Sequence, residues 1–335
     1  MSRPDEFEII ARFFAPLALA APGALGLSDD AALVAVEPGR QLVVTLDTIV
    51  AGVHFLADDP ADSVACKLLS VNLSDLAAMG ARPLAYLLSV GLPSTWDDAT
   101  IEAWLSAFAA GLQAVQNEFA IDLIGGDTVA VPGPVTLTAT LLGTVVSGKE
   151  LRRSGAQLGD DIYVSGTIGD AVLGLRLLQQ CASAVPDSDR IMLADRYRRP
   201  RPRIALGGRL SGLAHAAADI SDGLVADLGH ICRASGVGAR IESVRVPLSA
   251  AAARVIAAQP RMLTTLLCGG DDYELVFTAA PAAREAIAEV ARSLDLPLPI
   301  IGRIVPAPGG RDRPVVVVDA SGTAIDIDAG GYRHF

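Results

Sequence analysis

"VTLTATLLGTVV", residues 135–146, alternates polar and apolar side chains with a period of two. Successive strand residues point to opposite faces, so this pattern describes a strand packed on one side and open on the other. Just before it, "IDLIGGD" (121–127) reads as a second strand that ends on two glycines and an aspartate. Further toward the N-terminus the element types alternate. A strand over "QLVVTLDTIV" (41–50) is followed by a helix over "DSVACKLLSVNLSDLAAMG" (62–80), a strand over "PLAYLLSVGL" (83–92) and a helix over "DDATIEAWLSAFAAGLQAVQNEF" (97–119). Interleaved helices and strands whose neighbours can pair antiparallel predict an α+β fold with helices on one face of the sheet.

The segment "SGKELRRSGAQLGDD" (147–161) is polar, glycine-rich and basic, and it separates the two halves. It divides the chain into domains 1–148 and 149–335, as expected when 335 residues exceed what one core organises. The second half predicts a strand over "DIYVSG" (161–166), helices near 168–180 and 188–198, and a turn at "RRPRPRIAL" (198–206). It continues with a strand at "DDYELVFTAA" (271–280), a helix over "PAAREAIAEVARSL" (281–294), and short strands at "PIIGRIV" (299–305) and "RPVVVVDA" (313–320). No repeat of fixed period links the halves.

Hydrophobic residues make up 51% of the chain and charged residues 19%, a composition for burial rather than disorder. A formal charge of −11 without a basic stripe excludes a nucleic-acid surface, and 4% aromatic residues leave little for base stacking. An acidic protein that handles anionic substrates needs divalent cations as intermediaries. Cys66, Cys181, Cys232 and Cys268 are widely spaced, without the pairing of a zinc site or a disulfide framework, so a reducing compartment is expected. The first 25 residues carry early acidic side chains and a proline that breaks the apolar run. They read as an amphipathic helix with Phe7, Ile10, Phe13 and Phe14 inward, not as a signal peptide. No run is long enough to span a membrane, which places the expected location in the cytoplasm.

The acidic residues share one local pattern, in which an apolar run leads to Asp and then to a small residue. Asp29 and Asp30, Asp47, Asp75, Asp127, and Asp271 with Asp272 all fit it. "AADISDGLVADLGHI" (217–231) adds Asp219, Asp222 and Asp227 within nine positions. Any one of them serves as well for a cap or turn, Asp222 before a helix and Asp75 as a carboxylate with local bonds; Asp227 is assigned a structural, solvent-facing place. Together they ask for compensation, because a carboxylate in an apolar surround is costly unless paired or metal-bound. Magnesium takes one or two carboxylates plus substrate phosphates, and so fits turns of this kind. "GGD" (125–127) and Arg153 in "RRSGA" are candidate phosphate contacts. Walker A, nucleophile-elbow, HExxH and dinucleotide fingerprints are absent. Among the histidines only His54 lies near a candidate site.

"SDDAA", "TLDTIVAGVHF", "NLSDLAAMGARP", "GGDTV", "RRSGAQLGD", "ADISDGL" and "GGDDYEL" occur in order over residues 28–275, with "GGYRHF" at the end. In this order and spacing they resemble the thiamine-monophosphate kinase family, one of the aminoimidazole ribonucleotide synthetase-like enzymes. The resemblance implies transfer of the ATP γ-phosphoryl group to thiamine monophosphate with several Mg2+ ions. It also implies a homodimer whose N-terminal sheets join into a barrel, a sandwich-like C-terminal domain, and active sites between the two domains of each subunit. Asp30, Thr45, Asp47, Asp75, Asp127, Asp219 and Asp222 match its magnesium positions. Gly126, Asp127, Arg153 and Ser221 match ATP contacts, and His54, Asp271 and Tyr332 match thiamine monophosphate contacts. Three residues depart from the pattern: Asp271 stands in place of Glu, Tyr332 in place of Trp, and Leu46 in place of Thr. The alternatives are an aminoimidazole ribonucleotide synthetase-like ligase and a non-catalytic ATP-binding protein. A selenophosphate synthetase would need a reactive cysteine near the N-terminus, whereas Cys66 falls within a helix.

Overall fold

The computed structural model describes residues 6–180, 185–307 and 313–327. The chain divides into two compact units, Met1–Leu76 with Arg82–Ser147, and Ala77–Ala81 with Gly148–Phe335.

The first unit opens with α1 (Glu6–Ile9), which passes into a π turn over Ile10–Phe14 and a 3-10 turn over Ala15–Ala18. The expected inward set of Phe7, Ile10, Phe13 and Phe14 fails at Phe7, which is 78% exposed, while Ile9 and Phe14 are buried. Regular α winding lasts only four residues here. Each change of pitch rotates the inward face, so a constant 3.6-residue period misassigns it.

The elements β1 (Arg40–Val50), α2 (Ala61–Ala78), β2 (Arg82–Pro93), α3 (Asp98–Phe119), β3 (Asp122–Val131) and β4 (Thr136–Val146) follow. Asp97 caps α3 by accepting the Thr100 N–H at 2.8 Å, and Ala120 ends it in the left-handed region. The sheet order is β1-β4-β2-β3; β4 runs antiparallel to both neighbours, and β2 and β3 run parallel. Consecutive strands β1 and β2 are therefore not neighbours. The period of two in β4 is realised: Leu137, Ala139 and Leu141 are buried, whereas Thr138 and Thr140 are half-buried on the opposite face. On edge strand β1, Leu42, Val44 and Leu46 form an exposed apolar row.

The second unit contains β5 (Asp161–Val164), α4 (Asp170–Leu178), α5 (Asp187–Arg198), α6 (Ile204–Leu210), β6 (Ala216–Asp219), α7 (Leu224–Ser235) and β7 (Gly238–Glu242). Then come α8 (Ala250–Ala258), α9 (Met262–Cys268), β8 (Leu275–Ala279), α10 (Arg284–Leu294), β9 (Ile300–Val305) and β10 (Val315–Val318). One six-stranded sheet of order β10-β7-β9-β5-β8-β6 is antiparallel except between β10 and β7. Alternate residues feed two cores: Ile162, Ala218, Leu224 and Leu228 on one side, Tyr163, Ala217, Phe277 and Ile287 on the other. Both halves are thus α+β. Two expectations need correction. The strand expected from residue 271 starts at Leu275, and "RRPRPRIAL" runs into helix α6. Among the described residues Cys232 and Cys268 are free thiols, and no helix is long and apolar enough to cross a membrane.

Candidate active site

In the first unit, period-two alternation along β1 turns Thr45 and Asp47 to the face of Ile49, toward α2. Thr45 donates its hydroxyl to the Asp75 carboxylate of α2 at 2.5 Å. The carboxyl of Asp47 is pushed up to about 6, first by burial and then by the neighbouring Asp75 carboxylate. Asp75 is thus not merely a helix carboxylate with local bonds. Two carboxylates crowded so that one resists ionising form a donor set that a divalent cation would relieve.

Asp127 lies on the opposite face, paired in register with Ser89 of β2. A cavity of about 600 Å3 there is bounded by Asp29, Asp30, Gly125, Gly126, Asp127 and Thr128, among others. The structure therefore joins Asp30, Gly126 and Asp127 in one place and Thr45, Asp47 and Asp75 in another. At Gly126 a methyl group would lie 1.9 Å from the Leu88 carbonyl oxygen, so glycine is required by the close approach of β2. His54 accepts the Val50 N–H on Nδ1 at 3.1 Å, which puts the ring proton on Nε2.

In the second unit, β6 ends on buried Asp219, and a short turn carries Ser221 and Asp222 into α7. The residue preceding α7 is Gly223 at φ +115°, with no side-chain cap, so Asp222 is not the cap that its position suggested. Gly223 is required, since a Cβ would meet the Cys268 carbonyl oxygen at 2.6 Å. Asp227 is buried rather than solvent-facing, and one of its oxygens accepts the N–H groups of Asp222 and Gly223 at 3.0 and 3.1 Å. Its carboxyl is pushed up to about 7 by burial and by Asp222, against the pull of Arg153. Ligand atoms of Asp222, Asp227 and His230 lie within 4.8 Å of one another, the one such group among the described residues. Burial first, then the guanidinium groups of Arg233 and Arg153, hold His230 at the same corner below its ordinary value.

Asp271 is tied to this turn through its N–H, which donates to the Ser221 carbonyl at 2.9 Å. It lies at φ +70° and Tyr273 at φ +49°, left-handed conformations uncommon for residues other than glycine. The alternate residues Asp272 and Glu274 are buried. Asp272 accepts the Gly169 N–H at 2.7 Å and the Ala171 N–H at 3.3 Å. Glu274 takes Ser165 at 2.6 Å, Arg196 at 3.0 Å and the side chain of Arg203. Tyr332 lies outside the described residues.

Two family models cover most of the chain: AIR synthase related protein, N-terminal domain, over residues 28–145, and its C-terminal domain over 157–313. Thiamine-monophosphate kinase of Caulobacter vibrioides is 46% identical over 309 residues, covering 91% of this chain and 86% of that protein. The Escherichia coli K12 enzyme of the same name is 41% identical over 332 residues, 98% of each. The chain belongs to the thiamine-monophosphate kinase family. A solved thiamine-monophosphate kinase from Stenotrophomonas maltophilia superposes with a TM-score of 0.82 at 46% identity, covering 96% of this chain and 98% of that one. AaThiL, solved in complex with AMPPCP and TMP, gives 0.75 at 30% identity with 98% and 97% coverage. A hydrogenase maturation protein HypE solved with ATP shares the fold, at 19% identity and a TM-score of 0.75.

Within this member of the thiamine-monophosphate kinase family, the sequence reading placed Asp227 toward solvent and gave no role to Asp272 or Glu274, yet all three are buried beside the candidate site. The signal was present for the last two. In "GGDDYEL" Asp272 and Glu274 stand two apart, a spacing that can put both side chains on one side, here inward to backbone N–H and guanidinium partners.

Proposed function

We propose that the chain transfers the γ-phosphoryl group of ATP to thiamine monophosphate, giving thiamine diphosphate. The observation that carries this reading is end-to-end similarity to thiamine-monophosphate kinases, 41% identical over 98% of the chain in one case. A related structure holding AMPPCP and TMP together supports ATP and thiamine monophosphate as the ligand pair.

The acceptor is a phosphate monoester whose second pKa is about 6, so at neutral pH it is largely a dianion and needs no general base. The obstacle is repulsion: like charges about 4 Å apart cost about 4 kcal/mol per pair at an effective dielectric near 20. Magnesium ions, when bound, would offset that charge and stabilise the phosphoryl group in transfer. Asp30, Thr45, Asp47, Asp75, Asp127, Asp219 and Asp222 are the residues that would hold them, and the crowding of Asp47 against Asp75 supports this. Gly126, Arg153 and Ser221 would orient ATP, Arg153 by forking onto phosphate oxygens. His54, Asp271 and Tyr332 would position thiamine monophosphate, with Tyr332 offering an aromatic face to its cationic ring. Residues 1–148 serve as the ATP- and magnesium-binding and dimerisation domain, and 149–335 as the second domain. The exposed row of Leu42, Val44 and Leu46 supports a homodimer whose N-terminal sheets join into a barrel. A cytoplasmic location accords with the free thiols.

Asp222→Asn and Asp75→Asn test the metal assignment. Each is expected to lower transfer by about a hundredfold or more at fixed magnesium, with thermal stability retained. Full activity in both would remove it.

A further inference from the structure

The second unit carries an arginine cluster that the proposed reaction does not use. Asp161 on β5 is fully buried, and Arg284 at the start of α10 bonds both its oxygens, at 2.6 and 2.9 Å. Arg303 of β9 is the strand partner of Asp161, yet its Nε stands 3.5 Å from the carboxylate, beyond a good hydrogen bond. Arg240 of β7 is in turn the strand partner of Arg303, which sets two like charges on one face of the sheet. Such pairs are destabilising unless offset. Arg245 is engaged by Glu242 at 2.6 Å. Arg245, Arg284 and Arg303 thus meet the two carboxylates of Asp161 and Glu242 in a chain whose formal charge is −11.

Two adjoining depressions open among these residues. One of about 330 Å3 is bounded by Asp161, Glu242, Arg245, Arg284 and Arg303. The other, of about 370 Å3, shares Arg245, Arg284 and Ile300 with it and adds Tyr163, Ile287 and Leu298. Tyr163 is 2% exposed, and its buried hydroxyl, though near Arg284, meets no partner in hydrogen-bond geometry. The cleft therefore combines unspent guanidinium donors, an unmet hydroxyl and an apolar wall.

We propose that this cleft is a binding site for a small molecule with an oxyanion head and an apolar body, a phosphate monoester or a carboxylate. The head would lie between Arg245, Arg284 and Arg303, and the body against Ile287, Leu298 and Ile300. Guanidinium groups recognise oxyanions directly, so binding here needs no divalent cation. That separates this site from the carboxylate-lined one.

The test is calorimetric titration of the full-length protein in excess EDTA with phenyl phosphate, benzoate and inorganic phosphate. Saturable binding is expected, tighter for phenyl phosphate or benzoate than for inorganic phosphate, and the better of the two aryl probes identifies the head group. The double variant Arg245→Ala/Arg303→Ala changes two exposed side chains and should weaken that binding about tenfold or more, leaving melting temperature and basal kinase activity unchanged. Absence of saturable binding to the wild-type protein, or equal affinity in the double variant, overturns the proposal.

Discussion

Asp227 illustrates why a carboxylate's position in the sequence does not give its role. It lies five residues after Asp222 in the same apolar stretch, yet it is buried and fastens the backbone that presents Asp222. Because one oxygen accepts both N–H groups, Asp227→Asn can keep them, while Asp227→Ala leaves two donors unmet. The alanine variant is expected to lose about 2–4 kcal/mol in denaturant unfolding, with the asparagine variant losing less than half of that. Equal losses would mean that the carboxylate's charge, not its hydrogen bonds, matters. Asp272 offers a test in pH. Burial pushes its carboxyl from 3.8 up to about 8 despite two backbone donors, so the folded state holds that proton more tightly than the unfolded chain. Its contribution to stability is therefore most favourable below about pH 4 and is lost as pH rises toward about 8, at up to about 1.4 kcal/mol per pH unit. Urea unfolding across that window should show the decline in the wild type and a flatter profile in Asp272→Asn. Parallel profiles would place the pH dependence elsewhere. The sequence made the acids conspicuous; which of them face inward depends on turn conformations at Gly223, Asp271 and Tyr273 that residue identity alone does not dictate.

At the scale of elements, long periodic segments were legible and so were the short strands β5, β9 and β10, but other short elements were not. Strand β4 and helices α2 and α3 run for 11, 18 and 22 residues, enough for a period to repeat. In contrast β7, α8 and α9 have five to nine residues, too few for a period to repeat, and alanine-rich α8 contrasts little between its faces. Strand order was equally hidden. The sequence specifies which face of each strand is apolar, but the β1-β4-β2-β3 order depends on contacts distant along the chain. Gly126 shows that such pairing reaches the candidate site. A methyl group there would collide with the Leu88 carbonyl, so Gly126→Ala should separate β2 from β3, cost about 2 kcal/mol or more, and weaken ATP binding measured by calorimetry. Unchanged stability would show that the strands can part without cost.

For the whole molecule, the row of Leu42, Val44 and Leu46 carries the prediction about assembly. If the proposed dimer forms through this row, a charge at its centre, Val44→Glu, should leave monomer in light scattering coupled to size exclusion where the wild type is dimeric, because a buried unpaired carboxylate opposes association by several kcal/mol. A dimer that persists would place the interface elsewhere. The two-unit architecture and the acidic turns were legible, but the units were not separable at one point in sequence, because Ala77–Ala81 belongs with the second unit. The central claim is that this acidic chain, at formal charge −11, moves a phosphoryl group between two anions. Its most direct measurement follows γ-labelled ATP with thiamine monophosphate and the purified protein, with magnesium and with excess EDTA. The account predicts label in thiamine diphosphate only when magnesium is present. Label released solely as inorganic phosphate, or none transferred by a folded protein that binds ATP, would contradict it.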